Sequence, residues 1–308
     1  MGFYASFLFK TENNQPLYAK HLEFIIQCAG CNDPQQQTVA EQANQTLLEM
    51  LTERGSVYRM IPFIAEILEK LTSYIKHSQS LAFFEVIHEI VKIYHRTLSK
   101  APKVIGEVML RLVERAKIEY DSQDKDNDGF TVLLSRIFSI ICSIGESKDF
   151  LTAHQEDIET ALLPLFSYLE NDEEFPFVEY ILHYMTSAIK ITEKVSPTLW
   201  KIFSLFPKIL EQERGLITSL FSTLNLLIVH GKNTIEENQE ILHVLIDMGI
   251  KGLNPTHPDA GKAGPAMAAL LFQVLIQYVG IPNEEWERML GACVAKLEDK
   301  DKSFLKAR

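Results

Sequence analysis

The sequence predicts an all-α fold built as an open stack of helix pairs. Three observations predict it. Amphipathic helical segments follow one another in pairs that recur every ~40–47 residues along the chain. The apolar positions fall at helical spacing and form wide faces. Runs of alternating β-branched residues are absent, as are the Asn-Gly or Asp-Gly turns that join strands into hairpins. Asp128-Gly129 comes nearest, and the residues after it have helical spacing.

A leading helix covers Pro16 to Cys28, with Leu17, Leu22, Phe24, Ile25 and Ile26 on or near one face. Six pairs follow. Their first helices begin near Asp33, Gln79, Asp126, Glu173, Arg214 and Asp259. Their second helices cover 57–75, 101–118, 154–170, 196–211, 236–252 and 282–298. In 58–71 the apolar positions are Tyr58, Met60, Ile61, Ile64, Ile67, Leu68 and Leu71; in 176–188 they include Phe177, Val178, Tyr180, Ile181, Tyr184 and Met185. Stripes this wide are covered from more than one side, as happens when pairs stack. Pro16, Pro102, Pro197 and Pro282 stand where helices start, and Ser196-Pro197 supplies a cap followed by a first-turn proline. Gly55, Gly231 and Gly280 are expected between helices, ending one in a left-handed conformation. Pro164 and Pro207 lie inside helical patterns and are expected to kink or shorten them. The longest connectors, 119–128 and 253–262, are polar. No domain boundary is visible, so residues 1–308 read as one array. Pairs of this length are typical of HEAT-type units, and the expected architecture is an α-solenoid, a superhelix of about six such pairs plus the leading helix.

Composition narrows the function classes. Apolar residues make up 46% of the chain, enough for a continuous core, while 14 Gly and 12 Pro are too few for long low-complexity tracts. The net charge of −11 repels nucleic acid and anionic lipid and attracts basic proteins. Phe3 to Phe9 is too short for a leader and runs into Lys10, and no apolar stretch reaches the length of a membrane span. Four cysteines without a framework pattern point to reduced thiols and a cytosolic or nuclear setting.

Several motifs point to chemistry, and each is incomplete. Asp124-Lys125-Asp126-Asn127-Asp128-Gly129 matches the first half of a calcium-binding loop, but the twelfth position is Ser135 where a bidentate Glu is needed, and the eighth is Thr131. Cys28-Ala29-Gly30-Cys31 has the spacing of a zinc or redox half-site, yet Cys142 and Cys293 are isolated and the pair ends a helix, so two structural thiols are expected. His88-Glu89 would need a second His at the position of Lys92, and His95 stands seven residues on; both read as ordinary surface or edge histidines. Met1-Gly2-Phe3-Tyr4-Ala5-Ser6 fits a myristoylation pattern only loosely, with bulky Phe3 against it. Gly261-Lys262-Ala263-Gly264 lacks the ending of a phosphate loop and reads as a small-residue packing segment. No nucleophile, base and acid can be placed together, so no enzyme, cofactor or metal is expected.

The acidic clusters remain as candidate cargo contacts. They are Glu170, Asp172, Glu173 and Glu174; Glu236, Glu237 and Glu240; and Glu284, Glu285 and Glu287. As solvated helix starts they would be stabilised by the helix dipole. As a lining for a basic partner they would speed its capture. Trp200 and Trp286 fall in second helices, where core packing is the default.

The segment from Asp126 to Leu297 resembles the C-terminal half of importin-β-type nuclear transport receptors, most closely the importin seven/eight class. The likeness is carried by Glu173-Glu174-Phe175 and the helix ending at Ile191, then Val195-Ser196-Pro197-Thr198-Leu199-Trp200 and Leu205-Phe206; Asn238, Ile241 and Leu242, and Gly264, Ala266, Leu270 and Leu271, continue it loosely. The resemblance implies a HEAT superhelix that shuttles between cytoplasm and nucleus and binds basic protein cargo, ribosomal proteins or histones among the candidates. It also implies Ran-GTP and nucleoporin Phe-Gly repeats as partners, and no direct nucleic acid or membrane. The N-terminal repeats that chiefly bind Ran in such receptors have no counterpart here, so the expectation is a fragment, a truncated gene or a reduced relative. The rival reading is a general HEAT scaffold or adaptor, of phosphatase-scaffold or vesicle-coat type.

Overall fold

The computed structural model describes residues 15–31, 33–53, 57–122, 128–171, 177–212, 215–254 and 263–306. Among the described residues every regular element is helical, so the all-α expectation holds. The helices are α1 Gln15–Ala29, α2 Gln37–Thr52, α3 Val57–Met60, α4 Ile64–Thr72, α5 Leu81–Leu98, α6 Pro102–Asp121, α7 Asp128–Gly145, α8 Lys148–Asn171, α9 Val178–Thr192, α10 Pro197–Phe203, α11 Phe206–Gln212, α12 Ile217–Glu237, α13 Gln239–Leu253, α14 Gly264–Tyr278 and α15 Asn283–Lys306. A 3-10 turn, Pro34–Gln36, leads into α2. The chain divides into two compact units, residues 1–167 and 168–308.

Local chemistry sets the ends. Ser80 and Ser196 accept from the backbone N–H groups of Phe83 and Leu199 at 3.3 and 3.1 Å, capping α5 and α10. Pro102 and Pro197 open their helices, where the missing N–H costs nothing. Helix α9 stops at Glu193, whose N–H still donates to Ile189 O while its left-handed φ of 53° turns the following chain away from the helix.

In the first unit, α2, α5 and α7 follow one another side by side, and α1, α4 and α6 form a second row against them. Facing apolar stripes account for this: Leu47, Met50 and Leu51 of α2 and Phe83, Phe84, Ile87 and Ile90 of α5 are all essentially buried. Polar ties fix the rows. The buried Asn44 amide donates to Ala29 O at 3.2 Å and Ala40 O at 2.9 Å, and Tyr94 Oη donates to Leu51 O at 3.3 Å. Arg115, on α6, donates to Lys76 O at 3.0 Å and pairs with Glu119 at 2.5 Å. The second unit repeats the scheme. Helix α9 meets α12 and α12 meets α14, while α11 meets α13 and α13 meets α15. In both units first helices touch first helices and second helices touch second helices.

Four expectations are corrected. The second helix of the first pair is not continuous over 57–75: it breaks between Met60 and Ile64, because Pro62 has no N–H to donate. The segment 196–211, by contrast, divides at Ser204 and Leu205 as the proline in its pattern leads one to expect, with Pro207 in the first turn of α11. Helix α8 starts at Lys148, runs through Pro164, and has its non-helical dihedrals at His154. Pro164 has no N–H to offer the Thr160 carbonyl one turn earlier, and both residues are exposed. Finally, Gly231 lies inside α12, not between helices. A Cβ there would stand 2.5 Å from Cζ2 of Trp200, so the glycine gives the indole room rather than ending the helix. Gly280 does lie between helices, but its backbone is not left-handed.

Candidate functional site

The acidic residues that the structure brings together lie at two helix corners of the second unit. Helix α12 ends at Glu237, and Asn238 caps α13 by accepting from the N–H of Glu240 at 3.1 Å. Glu236, Glu237 and Glu240 are all exposed around this corner. Only Glu240 sits at a helix start. Glu236 and Glu237 occupy the last turn of α12, where the helix dipole disfavours a negative charge by roughly 0.3–1 kcal/mol. The helix-start explanation therefore fails for these two, and corrects the sequence expectation.

The α14–α15 corner carries Glu284, Glu285 and Glu287. The first turn of α15 opens with the Trp286 N–H donating to Pro282 O at 3.0 Å and includes Glu284 and Glu285. Glu285 is occupied internally: His243 Nδ1 lies 2.8 Å from its Oε1, and Arg288 Nη1 donates to its Oε2 at 2.6 Å. Arg288 also pairs with Asp247 on α13. Burial would lower the pKa of this guanidinium, but hydrogen bonds to Asp247 and Glu285 outweigh it and hold the pKa raised. Glu284 and Glu287 are exposed and form no ion pair among the described residues. His243 ties α13 to the start of α15, and Glu240 stands one turn before it on α13.

These contacts belong to a wider pattern. Lys296 donates to Asn254 at 3.0 Å and Lys251 pairs with Glu211 at 2.6 Å, joining second helices of successive pairs. The Thr186 and Thr223 hydroxyls meet at 2.8 Å between α9 and α12. In the first unit Lys70 pairs with Glu23 at 3.3 Å, and Arg136 with Glu85 at 2.6 Å. Each tie links residues about one repeat apart, so the period in the sequence reappears as ladders of side-chain bonds along the seams.

The remaining candidates resolve as structural parts. His88 lies 2.8 Å from Ser143 Oγ and His95 lies 3.0 Å from Asp149 Oδ2, so both histidines join α5 to the next pair instead of standing alone at the surface. Burial holds the pKa of His88 below its ordinary value, which favours the neutral ring. Cys28 and Cys31 are free thiols, partly buried, and burial followed by the neighbouring Cys31 raises the pKa of Cys28, the reverse of what a nucleophilic cysteine needs. Trp200 is half-buried and meets Phe203 edge-to-face at 5.7 Å. Among the described residues no three His, Cys, Asp or Glu gather as a metal site, and no helix is long and apolar enough to cross a membrane.

Asp172, Glu173 and Glu174 lie outside the described residues, as do Met1 to Ser6, Gly55, Asp124 to Asn127, Arg214, Asp259, Gly261 and Lys262. Glu170 belongs to α8, and its side chain is not among those described. Sequence reasoning missed Glu298, exposed on α15, and the His243–Arg288 pair that occupies Glu285. The second was open to discovery, since both residues stand about one period apart on equivalent helices.

No protein-family model matches the chain. No curated protein matches it either.

Proposed function

We propose that this protein is an α-solenoid of stacked helix pairs that holds another protein and performs no chemistry of its own. The observation that carries the reading is the set of exposed carboxylates at two helix corners of the second unit. Glu236 and Glu237 are exposed where the local dipole opposes them, and at the α14–α15 corner Glu284 and Glu287 are exposed without cations among the described residues. Carboxylates so placed favour a Lys/Arg-rich partner and make its capture fast and salt-sensitive. The neighbour-to-neighbour packing supports the array, because pairs that touch only their neighbours can flex around a partner.

The specific form we propose is an importin-β-type nuclear transport receptor or its C-terminal part, resting on the residue resemblance over 126–297. Its cargo would be a basic protein of ribosomal or histone type, with Ran-GTP and Phe-Gly repeats as further partners and shuttling between cytoplasm and nucleus as its setting. The test is capture of purified histones or ribosomal proteins at low and physiological salt. Binding at low salt that falls as salt rises, and weakens in a Glu236→Gln, Glu237→Gln, Glu240→Gln variant, is the expected result. No binding at low salt rejects the reading. Binding to a phosphatase catalytic subunit without affinity for Phe-Gly peptides would assign a general scaffold instead.

A further inference from the structure

Helix α15 carries an apolar stripe on its outward side. Leu290, Val294 and Leu297 are 54%, 52% and 65% exposed, and their spacing of four and three residues places them on one face. Half-buried Trp286 and Cys293 connect the stripe to the packed side of the helix. Isolated exposed leucines are ordinary, but three in line on one helix form a surface that water covers at a cost.

The charge beside the stripe is of one sign. Glu284, Glu287 and Glu298 are exposed on its flank, with Gly291 and Ala295 among them, and none has an ion-pair partner among the described residues. Both cations of the described exposed-to-half-buried stretch 284–298 are turned the other way: Arg288 reaches Asp247 and Glu285, and Lys296 donates to Asn254 on α13 at 3.0 Å. The outward face is therefore apolar along one side and acidic along the other. A second copy of this face laid antiparallel on the first would bring carboxylates against carboxylates. The same like-charge repulsion disfavours nucleic acid and anionic lipid.

We propose that this face docks a basic amphipathic helix of a partner protein, its apolar residues on Leu290, Val294 and Leu297 and its Lys or Arg side chains against Glu284, Glu287 and Glu298. The recognition is helix against helix, with apolar anchors giving affinity and charges fixing orientation. This deepens the protein-holding reading above and rests on it, but it uses different residues from the Glu236, Glu237 and Glu240 corner.

The test uses the full chain and a synthetic helical peptide of about 20 residues, with leucines at i, i+4 and i+7 and lysines along one flank. A second peptide has glutamates in place of the lysines. The lysine peptide is expected to bind at low salt and the glutamate peptide to bind at least tenfold more weakly. Leu290→Ser with Val294→Ser should weaken the lysine peptide at least tenfold, and Leu297→Ser alone should weaken it by a smaller factor. Glu287→Gln with Glu298→Gln should weaken it about three- to tenfold and flatten its salt dependence. Circular dichroism checks that each variant stays folded, and all five positions are exposed. No binding, equal binding of both peptides, or binding indifferent to the stripe variants overturns the proposal. A dimer in sedimentation that Leu290→Ser dissolves would give the stripe to a second copy and also overturns it. Basic proteins that still bind the stripe variants and lose affinity only in the Glu236, Glu237 and Glu240 variant would sink this inference while leaving the broader function standing.

Discussion

Gly249→Ala tests how closely successive pairs pack. Gly249 lies inside α13, facing α14. A Cβ added there would stand 2.2 Å from Cε1, 2.7 Å from Cζ and 3.1 Å from Cδ1 of Phe272. Carbon atoms sit comfortably at ~3.5–4.0 Å, so the ring must retreat by more than an ångström. It has little freedom to do so: Phe272 is 4% exposed, and Leu271 and Leu275 beside it are fully buried. Overpacking of this kind costs ~1–3 kcal/mol. Against it stands the helix preference of Ala over Gly, ~0.8–1 kcal/mol. The clash outweighs it, for a net loss of up to about 2 kcal/mol. The contrast is Gly291→Ala on α15, where no atom lies within 4 Å of the added methyl and only the helix preference acts. The two substitutions in the same unit should thus differ in their effect on stability by the overpacking cost, roughly 1–3 kcal/mol. Both tryptophans of the chain, Trp200 and Trp286, belong to this unit, so their fluorescence in urea reads its unfolding directly. At a slope near ~2 kcal/mol/M, the two midpoints should differ by about 1 M. Adding Phe272→Leu to Gly249→Ala should recover part of the loss. A Gly249→Ala protein as stable as Gly291→Ala would refute the close approach of α13 and α14.

Three further outcomes are expected. Ser196→Ala removes the acceptor of the Leu199 N–H and should cost about 1 kcal/mol in the same fluorescence assay, with Ser196→Asp restoring most of it. His88 has its pKa lowered by burial from the ordinary 6.5, so the unfolded chain binds the proton more readily. Stability of the first unit should therefore be full above pH 6.5 and fall as pH drops through the window below it; urea midpoints followed by circular dichroism should lose that slope in His88→Gln, and an unchanged slope would contradict the assignment. Cys142 is 6% exposed and burial pushes its pKa up to about 12, so at pH 8 it should resist alkylation in the folded protein while partly exposed Cys31 reacts. Mass spectrometry showing equal labelling of the two would place Cys142 elsewhere.

Much of the fold was legible because pairing depends on spacing. Ile64, Ile67, Leu68 and Leu71 mark a buried face by period alone, and the structure buries all four. Boundaries were less legible where a single backbone group decides them. Pro62 breaks a stripe whose side chains continue across it, so the apolar period hid the break. Gly231 looked like a helix end from its intrinsic preference, but its role comes from Trp200, thirty-one positions earlier and supplied by tertiary packing. The site was legible as a set of acidic residues and not as a surface. Composition cannot show that Glu285 is consumed by His243 and Arg288 while Glu284 beside it has no ion pair among the described residues, because that depends on which residue faces it one repeat back. The stripe of Leu290, Val294 and Leu297 was hidden for the same reason: apolar residues at helical spacing read as core until the neighbouring rows are known to leave them uncovered.

The stacking of pairs is tested most directly by removing one. Helix α14 rests on α12 and α13, and α15 rests on α13. A chain ending at Asn254 should lose only the helical signal of the deleted residues, keep Trp200 in its native emission, and unfold cooperatively at lower denaturant. Loss of helix throughout the second unit, with Trp200 shifted to the emission of an unfolded chain, would show that its helices close around one shared core and would contradict the array.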